Sequence, residues 1–385
     1  MELSRYRAEA RAWLAARKPG ALPVEFDAQF AALRGWQREL FDGGWLGIDW
    51  PKEVGGQGLT LRHHLAVAEE LALSGAPEPV GNIGLDVVGP SILKFGTPGQ
   101  RAALLPPLLG GEHIWCQGFS EPDAGSDLAS LRTSARLVGD TWVVRGQKVW
   151  TSWAAQADWC ALLARTTPRG ETRSRHDGLS YLLVQMNSPG ITVRPLVQLT
   201  GDAEFCEVFF DDVEVPAGSV LGPVGGGWPV AMYTLGAERS FYMIRRRVEI
   251  ERAFAATIAE LAARKDPSSF ESLIHEGLGE SVVAIRTLRA QTEAAVERKA
   301  EGSGPSATDS LDKLVLAAAE QCVFSAMLRL LGSGRMGLDK LPPGIDARRV
   351  SLGYLYSRAA SIYGGTAQIQ RNIISQRLLG LERSW

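Results

Sequence analysis

Residues Gln117 to Asp127 (QGFSEPDAGSD) constrain this chain more than any other stretch. One short turn holds two glycines, a proline, serine hydroxyls and three carboxylates. Glycine permits positive φ and close backbone approach, proline fixes φ, and Ser and Asp bond back to nearby amides. Such a loop offers backbone N–H groups and hydroxyls to something flat or anionic. It reads equally as a turn that opens a helix, with Asp123 or Ser126 as the cap.

At 385 residues the chain can bury a substantial core and hold two or three domains. Its net charge is −2 with 22% charged residues, and no basic block or stripe stands out, which argues against a nucleic-acid partner. Charges interrupt the helical segments well short of ~20 apolar residues, so nothing reads as membrane-spanning. Residues 1–20 lack the apolar core and cleavage site of a secretory signal. Cys116, Cys160, Cys206 and Cys322 lie far apart, without a C-x-x-C pair. The histidines (His63, His64, His113, His176, His275) show no metal-ligand spacing. Neither a metal site nor a redox dithiol is signalled; four buried thiols in a reducing cytoplasm are expected.

Residues 1–114 read as helical, dominated by Ala, Leu, Arg and Glu. Composition changes over 115–218. The runs 135–150, 160–165, 179–185, 191–197 and 205–215 are rich in Val, Phe, Tyr, Trp and Leu, and turn residues punctuate them, as in an antiparallel β domain. The polar segment 168–178 reads as an exposed loop. Helix composition returns from Trp228, with a linker at Ala300–Thr308 and a break at Leu341–Gly344. Helices, then sheet, then helices imply an α+β multi-domain chain divided as 1–114, 115–218 and 219–385, not a doubly wound βαβ fold. No G-x-G-x-x-G follows a strand, so no Rossmann nucleotide site is indicated.

Two further segments come after the opening loop in order: Gly146–Ser152 (GQKVWTS) and Tyr363–Ile374 (YGGTAQIQRNII). Together the three resemble the acyl-CoA dehydrogenase family of flavoenzymes. Phe205–Pro216 (FCEVFFDDVEVP) and Gly225-Gly226-Gly227-Trp228 agree, and the resemblance covers nearly the whole chain. It implies an N-terminal α-helical domain, a central antiparallel β barrel and a C-terminal four-helix bundle. It also implies FAD, an acyl-CoA or other acyl-pantetheine thioester as substrate, and an electron-transfer flavoprotein as electron acceptor. A homo- or hetero-oligomer, dimer or tetramer, is expected.

The implied reaction removes a proton from Cα and a hydride from Cβ, the hydride going to flavin N5. The thioester oxygen then needs donors for the developing enolate, and Cα needs a carboxylate in a dry site. By resemblance, Gln117, Phe119 and Ser120 line the flavin ring, Trp150 covers its face, and Ser152 donates near N5. Thr366 and Gln368 match positions on the FAD phosphates or ribityl chain, and Ser126 a position on the pantetheine arm. For Trp150 the plain alternative is a core aromatic at a strand end.

Many relatives carry the base just after the tyrosine of the C-terminal motif. Here that slot is Gly364, which cannot abstract a proton but whose N–H can serve as the oxyanion donor. A second subgroup places a glutamate before an arginine on a helix, and this chain has Glu238-Arg239. Glu238 is three residues before Phe241 at the edge of an apolar stripe with Ile244 and Val248. It reads as the base, with Arg239 contacting the CoA portion or orienting it. The alternative is an acid of the helix's first turn, or an ion pair with a nearby arginine. Arg245–Arg247 reads as a phosphate or acidic-carrier contact, or as a solvated helix face.

The R-x-x-F-G segment that holds the FAD adenine half in homotetrameric relatives is missing, and a later glycine-rich segment is altered over 330–337. These departures, with Leu199–Phe205, resemble a bacterial subgroup acting on sterol side chains and other bulky acids, some of whose members pair two unlike chains. Two readings compete with the dehydrogenase: an oxidase or flavin monooxygenase on the same fold, and a partner subunit that completes an active chain.

Overall fold

The computed structural model describes residues 2–23, 25–263, 271–301, 306–331 and 347–382. The chain divides into two units, Met1–Glu238 and Arg239–Trp385.

The first unit opens with α1 (Leu3–Arg17), α2 (Phe26–Asp42), α3 (Leu61–Ser74), α4 (Gly89–Phe95) and α5 (Pro98–Leu109). Polar side chains lock these helices together. Arg11 grips Glu70 through two guanidinium nitrogens, at 2.9 and 2.8 Å, joining α1 to α3. Gln37, buried on α2, donates to the Leu108 carbonyl at 3.0 Å and accepts from the Gly81 N–H at 2.8 Å. Its amide thereby satisfies backbone groups that burial would otherwise leave unpaired. Thr97 and Gln100 form a capping box at the start of α5. The same Gln100 amide donates to the carbonyls of Gly218 and Val220, at 3.1 and 3.0 Å, and so ties α5 to the sheet.

The strands are β1 (Trp115–Gly118), β2 (Ser134–Val138), β3 (Thr141–Ser152), β4 (Trp159–Arg165), β5 (Leu179–Gln185), β6 (Ile191–Leu196), β7 (Phe205–Pro216) and β8 (Val220–Leu221). Their order is β6-β7-β3-β2-β4-β5-β8, with β1 alongside β4. The expected closed antiparallel barrel is therefore corrected: the sheet is open and mixed. β6 and β8 end the path without pairing to each other. β8 offers only two residues, and β6 carries Pro195 and an alternating exposed face, both suited to an edge. β1 runs parallel to β4, and β2 meets β4 in parallel at Ser134–Arg165.

The run expected as one strand over 135–150 is a hairpin turning at Gly139-Asp140, with Gly139 at φ 60°. β4 is covered on both faces. Ala161 and Leu163 pack with Trp50, Leu105, Leu109 and Trp115, while Cys160, Leu162 and Ala164 pack with Val144, Val184 and Val208. That double burial explains its nearly unbroken apolar sequence. Cys116, Cys160 and Cys206 are buried thiols as expected, whereas Cys322 is only partly buried.

The helix α6 (Gly227–Ala263) runs past Glu238 into the second unit, which continues with α7 (Glu271–Ala300), α8 (Asp309–Leu331), α9 (Ala347–Ser357) and α10 (Ala367–Ile373). Met243, Ile250, Leu288, Leu316, Val323, Phe324 and Val350 form its core. Ile244 and Val248 of the apolar stripe are buried, 4% and 1% exposed. The side chain of Phe241 and the break at 341–344 lie outside the described residues.

Candidate active site

In the first unit the candidate flavin residues converge on the end of β3. Gln117 and Gly118 belong to β1, not to the turn, and the turn itself closes through the reciprocal Glu121–Ala124 backbone pair. The chain then enters one short 3-10 turn, Leu128–Ser130, with Asp127 at its N-cap position and no side-chain cap bond. Neither Asp123 nor Ser126 caps a helix. Asp123 lies 3.6 Å from Arg132, and Asp127 pairs with Arg175 at 2.8 Å. Ser126 is exposed.

Three bonds hold the loop against β3. The Val149 N–H donates to the Ser120 carbonyl at 2.9 Å, and the Lys148 ammonium donates to the Phe119 carbonyl at 3.0 Å. Lys148 also meets Glu121 at 2.9 Å, and Glu121 accepts in addition from the N–H groups of Arg132 and Thr133, at 2.7 and 2.8 Å. Lys148 is fully buried and Glu121 8% exposed. Burial pushes the Glu121 carboxyl up, but the Lys148 ammonium and these hydrogen bonds outweigh it and leave it below the usual range. Burial likewise pulls the Lys148 ammonium down, and Glu121 restores part of the loss.

Immediately after Lys148 the ladder with β7 slips, and Trp150 sits in the slip with φ 60°. A bulky residue in the left-handed region costs of order 1–3 kcal/mol and persists where surrounding structure fixes it. The Trp150 ring is 60% exposed and stands edge-to-face on Phe205 at 6.1 Å. That exposure rules out the plain core-aromatic reading. Ser152 pairs with Phe205 across the ladder. Gln117, Ser120 and Ser152 are all partly exposed. Buried Phe119, an exposed indole in a strained bulge and partly exposed polar side chains together fit a flat ring with a polar edge.

Glu204, next to Phe205, lies in the Leu199–Phe205 segment, which as a sequence gives no sign of its burial. Burial, with the Asp202 carboxylate, pushes its carboxyl up to about 7. A raised acid stabilises the fold fully below its unfolded value near 4.5, and that contribution is lost as pH climbs through about 7, for at most about 3 kcal/mol. Glu204→Gln is therefore expected to raise stability relative to wild type at pH 8 and to leave it unchanged near pH 4.5. Denaturant titrations at the two pH values check this.

In the second unit Gly364 and Gly365 follow Tyr363 with φ of 61° and 91°. Two left-handed residues in succession need glycine. The Gln370 amide, 1% exposed, donates to both of their carbonyls, at 2.8 and 3.2 Å. Neither N–H of the pair donates to another described residue. Thr366 caps α10, its hydroxyl oxygen accepting from the Ile369 N–H at 3.2 Å, and Gln368 is exposed.

The backbone of Glu238 and Arg239 is helical, and their side chains lie outside the described ones. Since α6 begins at Gly227, Glu238 stands in the helix interior. The reading as a first-turn acid is corrected, because the dipole effect falls off within one turn. The Arg245–Arg247 run is not a solvated face either. Arg246 pairs with Glu249 and Glu320 and lies over the Phe324 ring, and Arg247 pairs with Glu251. Segment 332–337 lies outside the described residues. Among the described residues no helix is long and apolar enough to cross a membrane.

Known proteins match this arrangement throughout. Models of the acyl-CoA dehydrogenase N-terminal, middle and C-terminal domains match residues 2–112, 116–213 and 225–379. The acyl-CoA dehydrogenase IpdE1 of Mycobacterium tuberculosis is 40% identical over 99% of this chain and 98% of its own length. The human mitochondrial short-chain specific acyl-CoA dehydrogenase is 29% identical over 89% and 81%. Among solved structures, the Tcur3481-Tcur3483 steroid ACAD superposes with a TM-score of 0.85 at 26% identity, covering 99% of this chain and 98% of that one. The ChsE4-ChsE5 complex from Mycobacterium tuberculosis does so with a TM-score of 0.82 at 28% identity, covering 99% and 98%. The chain belongs to the acyl-CoA dehydrogenase family, FAD-dependent flavoprotein oxidoreductases of lipid metabolism.

Proposed function

We propose that the chain dehydrogenates an acyl-CoA between Cα and Cβ, giving the trans-2-enoyl thioester, with Glu238 as the base. The observation that carries this is the Gly364–Gly365 pair. It puts no carboxylate in the slot where many relatives hold one, and it leaves two backbone N–H groups without a partner among the described residues. The Gly364 N–H donates to the thioester oxygen as negative charge builds there, which lowers the cost of removing the Cα proton. Glu238 takes that proton, and Arg239 orients the carboxylate or meets the CoA portion. Bound FAD supplies the acceptor for the Cβ hydride. Gln117, Phe119, Ser120, Trp150 and Ser152 hold its ring, Thr366 and Gln368 its polar chain, and Ser126 the pantetheine arm. Electrons then pass to an electron-transfer flavoprotein.

The acyl group we assign is bulky and ring-bearing. The likeness to the steroid ACAD and the missing R-x-x-F-G segment support this. The same likeness, with that to the ChsE4-ChsE5 complex, supports assembly with a second, unlike chain. Incubating the holoenzyme with acyl-CoAs and an artificial electron acceptor tests the reaction. A product lighter by two hydrogens, formed without oxygen uptake, is expected. Oxygen consumption matching turnover would instead assign an oxidase, and an unchanged thioester would overturn the reading.

A further inference from the structure

We infer that Tyr242 and Lys313 are positioning residues that set the Gly364 donor through the side chain of Tyr363. The inference rests on the proposed reading of Glu238 as the base and Gly364 as the oxyanion donor.

Tyr363 immediately precedes Gly364, so fixing its side chain limits the backbone on the N-terminal side of the donor. Two elements fix it. From α6, the Tyr242 hydroxyl meets the Tyr363 hydroxyl at 2.6 Å, and the two rings stand edge-to-face at 5.9 Å. From α8, the Lys313 ammonium lies 3.9 Å from the centre of the Tyr363 ring. It also donates to the Ala360 carbonyl at 2.7 Å, three residues before Tyr363. A cation over an aromatic face is favourable, more so when desolvated, and Lys313 is 7% exposed. On the far side of the donor, Gln370 holds the carbonyls of residues 364 and 365. The donor segment is thus clamped from both directions, although its own N–H groups contribute nothing to the clamp.

The Tyr242 end of this chain of contacts is itself held. Arg246, one turn along α6, pairs with Glu320 of α8 through Nε at 3.0 Å and lies over the Tyr356 ring. The Tyr356 ring stands 6.1 Å from that of Tyr363. Burial, chiefly, pushes both phenols well above their ordinary value, so the shared hydrogen bond stays neutral at physiological pH. Tyr242 also follows Glu238 by four residues in the same helix. One hydroxyl–hydroxyl bond therefore links the helix that carries the base to the loop that carries the donor. Small misplacements of a catalytic group cost far more rate than binding.

Tyr242→Phe, Tyr363→Phe and the double variant, prepared as full-length holoenzyme, test this beside Glu238→Gln. The probe is the acyl-CoA that bleaches the wild-type flavin fastest among straight-chain, branched and ring-bearing examples. Each single variant is expected to reduce its flavin about 10–100-fold more slowly at saturation. Thioester Kd, FAD content and melting temperature are expected to stay near wild type. The double variant is expected to be no slower than either single one, because all three lack the same bond. Wild-type rates in the single variants, multiplying effects in the double, or losses confined to Kd and FAD content would overturn the inference. If Glu238→Gln is slow while the tyrosine variants are normal, this inference alone fails. If Glu238→Gln is as fast as wild type, the reading beneath it fails.

Discussion

Glu238→Gln is expected to slow reduction of the bound flavin by about 10²–10⁴-fold while leaving FAD content and thioester binding close to wild type. The substitution keeps the side chain's shape and removes the basic carboxylate. Two observations make position 238 the place to look. Gly364 occupies the other base slot, and glycine has no side chain to take a proton. Residue 238 also stands inside α6, beyond the reach of the helix dipole, which removes the dipole as a reason for an acid there. Rapid mixing with an acyl-CoA under anaerobic conditions measures the rate. An unchanged rate would assign the proton transfer to another group.

Lys148→Met is expected to destabilise the first unit by about 3–5 kcal/mol and to strip FAD from the protein. The ammonium is fully buried, and its removal leaves Glu121 as an uncompensated charge at 8% exposure. It also frees the Phe119 carbonyl, a further anchor that holds the 117–127 loop to β3. Glu121→Gln in the same chain is expected to recover much of the stability, because no lone buried charge then remains. Denaturant unfolding of the four proteins, wild type, two singles and the double, gives the coupling. A Lys148→Met protein as stable as wild type would show that this pair does not fasten the loop.

Much of the architecture is legible in the sequence because composition changes where the structure does. The helical composition of residues 1–114 and the β-rich runs after it correspond to α1–α5 and to β2–β7. The helices before and after the linker at 300–308 end and begin beside it, at Ala300 and Asp309. β1 and β8 are not legible, since four and two residues carry no periodicity. Closure of the sheet is not legible either. It depends on whether the two edge strands meet, which strand composition does not encode.

At the site, residue types are legible and environments are not. The loop at 117–127 points to Gln117 and Ser120, but not to the Lys148 buried beneath them. A lysine in GQKVWTS looks like an outward residue of an alternating strand, and the irregularities on either side of it re-aim the chain. Three arginines in a row suggest a solvated face, yet Arg246 is held by Glu320 and Phe324 of α8, more than seventy residues later. The contacts of Tyr242 and Lys313 with Tyr363 are long-range in the same way.

The most direct test of the account is an anaerobic titration of the oxidised protein, purified without any partner chain, with a panel of acyl-CoAs. A yellow protein whose absorbance near ~450 nm is bleached in proportion to added thioester is the expected result. A colourless protein, or a yellow one that no thioester in the panel bleaches, would contradict it.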